Sequence, residues 1–376
     1  MKKIEIIGGG IGGLTTAIIL KNQGIKVSVF EGAKEIKPVG AGIIIANNAM
    51  QIYRNLGLDQ KITEAGNPIS VMKITDEFLR PLSVLNLQKF EEKYQVKNVA
   101  IHRGELQRIL AESAGMENIF LSKKLVKVSA GNKYQLSFQD GTVEESEILI
   151  GADGIRSVVR DQLMQAGTIR NSGQICWRGI CNCEIPERYF HEANEAWGRG
   201  KRFGYVKIGN NKVYWYALRN SVSVVNKNED LLNLFSDFHP DILKIIASTS
   251  PENIICNDII DLKPTSKWFA GNACLIGDAA HATTPNLGQG ANQAVEDAYI
   301  LGKSIGSSSS ISEAFGIYQK TRIKKAHMIV NTSWQFGKVS QLENRAAVWI
   351  RNNLMRLMPD SMNFKQIERI FEIDEI

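Results

Sequence analysis

The chain has 376 residues, 44% of them hydrophobic, enough to bury a large core or two. Its formal net charge of +6 is spread along the sequence with no basic tail, finger or RNP-like motif, which argues against nucleic-acid partners. Five scattered cysteines, Cys176, Cys181, Cys183, Cys256 and Cys274, fit a reducing cytoplasm; the histidines show no metal-ligand spacing, and no apolar run reaches the length of a membrane span.

Residues 3–7 read as a strand that runs straight into Gly8, Gly9, Gly10, Ile11, Gly12 and Gly13. A helix is expected over 14–23, stopped by Gly24, and then a strand over 25–30 ending at Glu31. This is G-x-G-x-x-G between a strand and a helix, with an acid at the tip of the next strand roughly 20 residues on, the context in which the motif binds a dinucleotide. Gly8 permits the tight turn, Gly10 lets a pyrophosphate approach the backbone, and Gly13 lets helix and strand pack. Glu31 can accept hydrogen bonds from a ribose.

A glycine-rich loop over 38–42 leads to a short apolar run and a helix over 48–56. Residues 69–87 alternate as strands around a turn at 78–81. Arg103 opens a helix to about 113, an unusual place for a cation because a helix N-terminus is itself positive. A phosphate neighbour or simple solvent exposure would each account for it. Residues 123–139 and 142–150 read as β structure separated by Asp140-Gly141. The stretch 151–157 then delivers Asp153 and Arg156 into a second helix start, either to grip phosphate or to brace the first loop.

From 173 to about 261 the texture changes to alternating aromatic segments, 203–208 and 213–218, around a Gly209-Asn210-Asn211 hairpin signal. Tyr214 and Tyr216 share one face and Trp215 takes the other; either face could be plain core. Arg202 beside this sheet could anchor an anionic or carbonyl-bearing substrate, or lie on the surface.

Residues 273–276 form a short apolar strand ended by Gly277, and Asp278 follows where open α/β sheets place ligand contacts. Pro285, Gly288 and Gly290 shape a loop, and the helix from about 291 offers free N–H groups to an anion or an electron-rich ring edge. Ser310 to Glu313 is a capping box for a long helix running towards Trp334. A last amphipathic helix over 341–358 mixes Arg345, Arg351 and Arg356 with Trp349, Leu354 and Leu357. Packing on the protein's own sheet is the favoured reading, with peripheral membrane contact as the alternative.

Residues 8–13 with Glu31, residues 151–160 and residues 277–290, in that order, resemble the class A flavoprotein monooxygenases, the p-hydroxybenzoate hydroxylase-like group. The resemblance spans most of the chain. It implies an α/β fold, α+β overall: a Rossmann-like FAD-binding domain from 1–68, 97–170 and 270–310, an inserted antiparallel-sheet substrate domain from 69–96 and 171–269, and a C-terminal helical segment over 311–376. The implied cofactor is FAD, with NADPH or NADH as co-substrate, a small molecule and dioxygen as reactants, and no metal, in a cytoplasmic monomer or dimer.

By the same resemblance Gly8, Gly10, Ile11, Gly12, Gly13 and Glu31 would hold the ADP half of FAD, and Arg103 its pyrophosphate. Gly42 and Gln107 join the cofactor set. Asp153 would support FAD and NAD(P)H use, Gly277 and Asp278 would meet the ribityl and pyrophosphate region, and Pro285 would line the flavin. Gly288, Gly290, Ala291 and Asn292 would lie beside the N1–C2 edge of the ring, where a helix N-terminus stabilises the charge of reduced flavin.

The implied chemistry is reduction of FAD by NAD(P)H, formation of the C4a-hydroperoxide with dioxygen, and passage of its distal oxygen to an aromatic or polycyclic substrate. No protein nucleophile is required, and His281 is read as structural. Arg202, Tyr214, Tyr216 and Asn286 are the substrate-pocket candidates. Urate-hydroxylating members carry an Asp where this chain has Asn286, which cannot serve as a carboxylate base, so urate is disfavoured. The stretch 285–290 instead looks like the carotenoid-ring epoxidases, and tetracycline-hydroxylating relatives are a further comparison. Epoxidation of an isoprenoid ring and flavin-dependent reduction of isoprenoid double bonds stand as alternatives. A halogenase would need a WxWxIP motif, which Trp177-Arg178-Gly179-Ile180 does not supply.

Overall fold

The computed structural model describes residues 3–36, 41–221 and 229–375; positions 38–40 of the glycine-rich loop lie outside the described residues. Four fully buried strands, Ile4–Ile7, Val27–Phe30, Leu149–Gly151 and Ala273–Leu275, pair in parallel. Short and mostly apolar, they need cover on both faces, as in doubly wound sheets. Ile119–Phe120 and Phe269–Ala270 complete the six-stranded sheet at its edges. Helix Ile11–Asn22 starts three residues before the expected position, inside the glycine motif. A Cβ at Gly8, which holds φ +108°, would strike the Ala152 carbonyl, so the first loop seats directly on the second.

A seven-stranded sheet stands beside it in the order Ile255–Leu262, Ile169–Cys181, Lys212–Asn220, Lys201–Ile208, Glu192–Trp197, Val71–Asp76, Pro81–Asn86. Asn210 and Asn211 turn its central hairpin with φ of 60° and 56°, the handedness a tight two-residue loop requires. Alternation sends Trp177, Phe203 and Trp215 into a core with Phe235 and Ile242. The register places Arg178 opposite Tyr216 and Gly204 opposite Tyr216 from the other side, so Arg178, Tyr214, Tyr216 and Arg202 share the other face.

Residues 142–150, expected as one strand, form two. Val143–Ser146 closes a three-stranded antiparallel sheet, and Leu149–Gly151 enters the parallel one. The Ser146 hydroxyl sits at the switch, bonded to the Glu5 carboxylate at 2.8 Å and the Ile148 carbonyl at 2.9 Å.

Helix Ile311–Ser340 is capped by Ser310, whose hydroxyl accepts from the Glu313 N–H at 3.2 Å. Helix Arg345–Leu357 follows, and Asp360–Phe371 adds a helix that the sequence reading did not anticipate. The expected packing of Arg345–Leu357 is reversed: Val348 and Arg351 are buried, while Trp349, Leu354 and Leu357 are exposed. The Arg351 guanidinium docks it by donating to the Ser340 carbonyl at 2.9 Å.

A buried charge network ties these parts together. Asp297 on helix Gly290–Ser307 accepts from the Gly277 N–H at 2.8 Å, His281 Nε2 at 2.5 Å and Arg322 Nε at 2.9 Å. Arg322 also reaches Glu296 at 2.7 Å and Asp374 at 2.5 Å, and Lys325 reaches Glu296 at 2.8 Å. Burial raises the Asp297 carboxyl pKa, but the charges of His281 and Arg322 outweigh it and hold it down at about 2.

Asp297→Asn is expected to destabilise the fold by about 3–5 kcal/mol, because it leaves a buried guanidinium short of a partner. Chemical denaturation checks this. A folded pKa of about 2 against an ordinary 3.8 means the ionised carboxylate stabilises above pH 4, by ~2 kcal/mol. That increment is lost as pH falls from about 4 to 2, so the gap between wild type and variant should narrow across that window and stay level above it.

Candidate active site

Between the parallel sheet and the open face of the seven-stranded sheet lies a cavity of about 820 Å³. Helix Ile11–Asn22 opens onto it with no side-chain cap and no acid in its first turn, and nothing stands within 4 Å of where a Gly10 Cβ would point. Helix Gly290–Ser307 does the same: no side-chain cap, no acid, and Gly288, Gln289, Gly290 and Ala291 in the cavity wall. Arg103, at the start of helix Arg103–Ala114, lines the same space and makes no ion pair among the described residues. Two uncapped helix N-termini and a guanidinium that makes no ion pair among the described residues form a cradle for anions around one cavity. The arrangement fits FAD, whose pyrophosphate the first terminus would hold and whose electron-rich ring edge the second would face.

Gly277, Asp278, Pro285 and Gly42 also line the cavity. Asp278 is accessible from the cavity yet enclosed by protein, so desolvation raises its carboxyl pKa, with His281 and Arg103 opposing. A Cβ on Gly42 would overlap the Tyr214 ring, so glycine there lets the two domains' walls meet.

Six further residues expected around the cofactor, Gly8, Gly13, Glu31, Gln107, Asp153 and Asn292, are not among those lining this cavity. The Glu31 carboxylate accepts from the Gly9 N–H at 2.7 Å and the Ala33 N–H at 2.8 Å, and Gln107 Nε2 donates to the Gly9 carbonyl at 2.7 Å. Both latch the glycine loop. Asp153 caps its own helix start, accepting from the Ser157 hydroxyl at 2.5 Å and the Val158 N–H at 2.7 Å. Gly8 and Gly13 meet each other in the loop. Asn292 is fully buried: its Oδ1 accepts from the Ala46 N–H at 3.0 Å, and its Nδ2 donates to the carbonyls of Ile44 and Gly288. Its amide therefore stitches the strand Gly42–Ile45 to the ring-side helix rather than facing the cavity.

On the substrate side, three of the four sequence candidates, Arg202, Tyr216 and Asn286, join one hydrogen-bonded chain through Glu195. Arg202, buried, donates to Glu195 Oε1 at 2.9 Å and to Asn286 Oδ1 at 2.7 Å. The Tyr216 hydroxyl donates to Glu195 Oε2 at 2.8 Å, and Trp197 Nε1 to Oε1 at 3.0 Å. Asn286 Nδ2 donates to Thr284 Oγ1 and the Ser333 carbonyl, both at 2.9 Å. Every member is committed to a neighbour, so this chain fixes the wall's shape, and Glu195 is not a free base. Tyr214 differs. Its hydroxyl has no hydrogen-bond partner among the described residues, and burial pushes its pKa far above the ordinary phenol value, so it remains a donor.

The sequence reading missed Arg178. It lines the cavity beside Tyr214, faces the Cys176 and Cys256 thiols and the Tyr214 hydroxyl, and makes no ion pair among the described residues. The signal was available: a lone arginine beside Trp177, on the alternate of the strand face that carries the aromatic core.

Residues 1–199 and 257–331 match the profile of a family described as an FAD binding domain. The chain is 37% identical to the aurachin C monooxygenase/isomerase of Stigmatella aurantiaca, over 94% of each. It is 32% identical to the 2-heptyl-3-hydroxy-4(1H)-quinolone synthase of Pseudomonas aeruginosa, over 98% of this chain and 97% of that one. Among solved structures, Klebsiella pneumoniae HpxO complexed with FAD and uric acid superposes with a TM-score of 0.88 at 24% identity, over 97% of this chain and 95% of the other, which speaks for the fold.

Arg103→Ala is expected to weaken FAD binding roughly tenfold to a hundredfold, the loss of a charge-assisted contact. Titrating apoprotein with FAD by fluorescence checks it; an unchanged Kd would remove Arg103 from the cofactor site.

Proposed function

That this chain belongs to the FAD binding domain family, as a class A flavoprotein monooxygenase, is the premise from which we propose its substrate: a bicyclic 4-quinolone-type ring bearing an apolar alkyl or isoprenoid tail, hydroxylated on the ring. One observation carries the reading. Beyond the polar patch of Arg178 and Tyr214, the cavity continues between Met72, Ile74 and Leu85 of the sheet and Ile367, Ile370 and Phe371 of the last helix. Lys73, Ser83, Gln366 and Arg369 edge the same region, but its apolar side chains give a tail room to bury. The two relatives above support it, one named for aurachin C and one for a 2-heptyl quinolone.

FAD, when bound, draws electrons from NADPH or NADH and supplies one atom of dioxygen as an electrophile to an electron-rich carbon. Gly10, Ile11, Gly12 and Arg103 would hold its pyrophosphate, Asp278 its hydroxyl chain, and Gly288 to Ala291 its ring edge. The protein's remaining work falls to the substrate. A guanidinium and a phenol O–H beside the ring oxygen would favour its anionic form, and the charge delocalised onto the adjacent carbon makes that carbon the nucleophile. Arg178 and Tyr214, which make no ion pair among the described residues, are the pair placed to do this, while the Glu195–Arg202–Asn286 chain keeps the wall rigid and dry.

The sheets support the division of the chain given above, with residues 69–96 and 171–269 as the substrate domain. None of the five cysteines is paired in a disulfide, which is in keeping with a reducing cytoplasm.

The test is NADPH and NADH oxidation under ¹⁸O₂ with 2-heptyl-4(1H)-quinolone, urate, a tetracycline and a cyclic terpenoid. Product carrying one ¹⁸O from the quinolone is expected. Labelled epoxide from the terpenoid with an inert quinolone would replace this reading with the epoxidase one. Arg178→Met should lower kcat/KM for the quinolone by roughly tenfold to a hundredfold while FAD content is unchanged; equal rates would take Arg178 out of the site.

A further inference from the structure

We propose that helix Arg345–Leu357 docks the enzyme on an anionic lipid bilayer, beside the apolar end of the substrate cavity. The helix is held from one side, through Val348 and Arg351. At 3.6 residues per turn, its far side carries Trp349, Ile350, Leu354 and Leu357, exposed to 69%, 51%, 61% and 79%. Val339 before it and Met358 after it are exposed as well. Lone exposed apolar side chains are ordinary, but this run forms a continuous patch.

Charge decides the partner. The helix holds three arginines and no carboxylate. Arg345 and Arg356 flank Trp349 on one ridge, both exposed, and Arg356 also ion-pairs with the buried Asp76 at 3.3 Å. Lys338, Lys365 and Arg369 are exposed on the adjoining helices. Glu343, just before the helix, is turned to Asn220 at 2.5 Å. An apolar stripe with a tryptophan, edged by arginines, suits the boundary between acyl chains and anionic headgroups. No helix of the described residues is long and apolar enough to cross a membrane, so contact would be on the surface.

Position ties the patch to the cavity. Helices Arg345–Leu357 and Asp360–Phe371 both pack on strand Pro81–Asn86, whose Ser83 and Leu85 line the cavity with Ile367, Ile370 and Phe371. A lipophilic compound dissolved in the bilayer would arrive next to the apolar lobe. The docking itself does not depend on the quinolone reading and is tested without substrate.

The FAD-loaded full chain is sedimented with vesicles of phosphatidylcholine alone or mixed with phosphatidylglycerol, at low and high salt. Binding to the phosphatidylglycerol vesicles, weakened by salt, is expected. The variant W349S/L354Q/L357Q should lose it by roughly tenfold or more, with FAD content and melting temperature unchanged. No vesicle binding by the wild type, or binding indifferent to the variant, would overturn the proposal. So would a dimer in sedimentation equilibrium that the variant dissociates, since the patch would then be a self-interface.

Discussion

The molecule turns on the pairing of Asp297 with Arg322 in its interior. Asp297 takes the Gly277 N–H, His281 and Arg322 on its two oxygens, and Arg322 passes the constraint to Glu296 and Asp374. A buried ion pair is a weak source of net stability because desolvation offsets the attraction. Its value here is positional. Five stretches distant in sequence must come into register for every charge to be met: the Asp278 turn, the helix Gly290–Ser307, the long helix, Asn48, whose Nδ2 donates to Glu296, and the C-terminal tail. Any other arrangement leaves a bare charge in the core.

The cavity inherits its two characters from this frame. Its cofactor side is built from backbone: helix N-termini, glycines and one arginine. Such a surface recognises charge and close approach and is indifferent to most side-chain changes. Its substrate side is built from side chains on one face of a sheet, some locked to one another by hydrogen bonds and two, Arg178 and Tyr214, outside that chain. Chemistry common to many flavoproteins can thus sit beside a wall that varies with the substrate. The last helix, drawn in by Arg322 and Lys325 through the 372–374 segment, supplies the apolar part of that wall.

Much of this was legible in the residues. The glycine motif, the acid at the strand tip and the Asp278 turn declared the fold because each follows from local backbone requirements. Alternation sorted Trp215 from Tyr214 and Tyr216 for the same reason. What was not legible depended on distant partners. Glu31 and Asp153 were read as ligand contacts, and nothing local says that their oxygens also hold the N–H groups of residues 9 and 33 and of 158. Asn292 sits in the right motif yet faces inward, because the helix turn that exposes Gly290 buries it. Helix Arg345–Leu357 was amphipathic in the sequence, but its arginine rather than its tryptophan is the buried anchor, since only Arg351 finds free carbonyls. Residues 142–150 looked continuous because both sheets favour the same composition.

If one cavity holds the ring at Arg178 and Tyr214 and the tail along Met72, Leu85 and Ile370, affinity must follow tail length. The decisive measurement is therefore the Kd of the FAD-loaded protein for 2-alkyl-4(1H)-quinolones from methyl to nonyl, by titration of the flavin spectrum. Each methylene that enters the apolar lobe should tighten binding roughly fourfold, about 0.8 kcal/mol, until the lobe is full. A Kd that is flat across the series would mean that the tail never enters the lobe, and that the substrate is a different molecule.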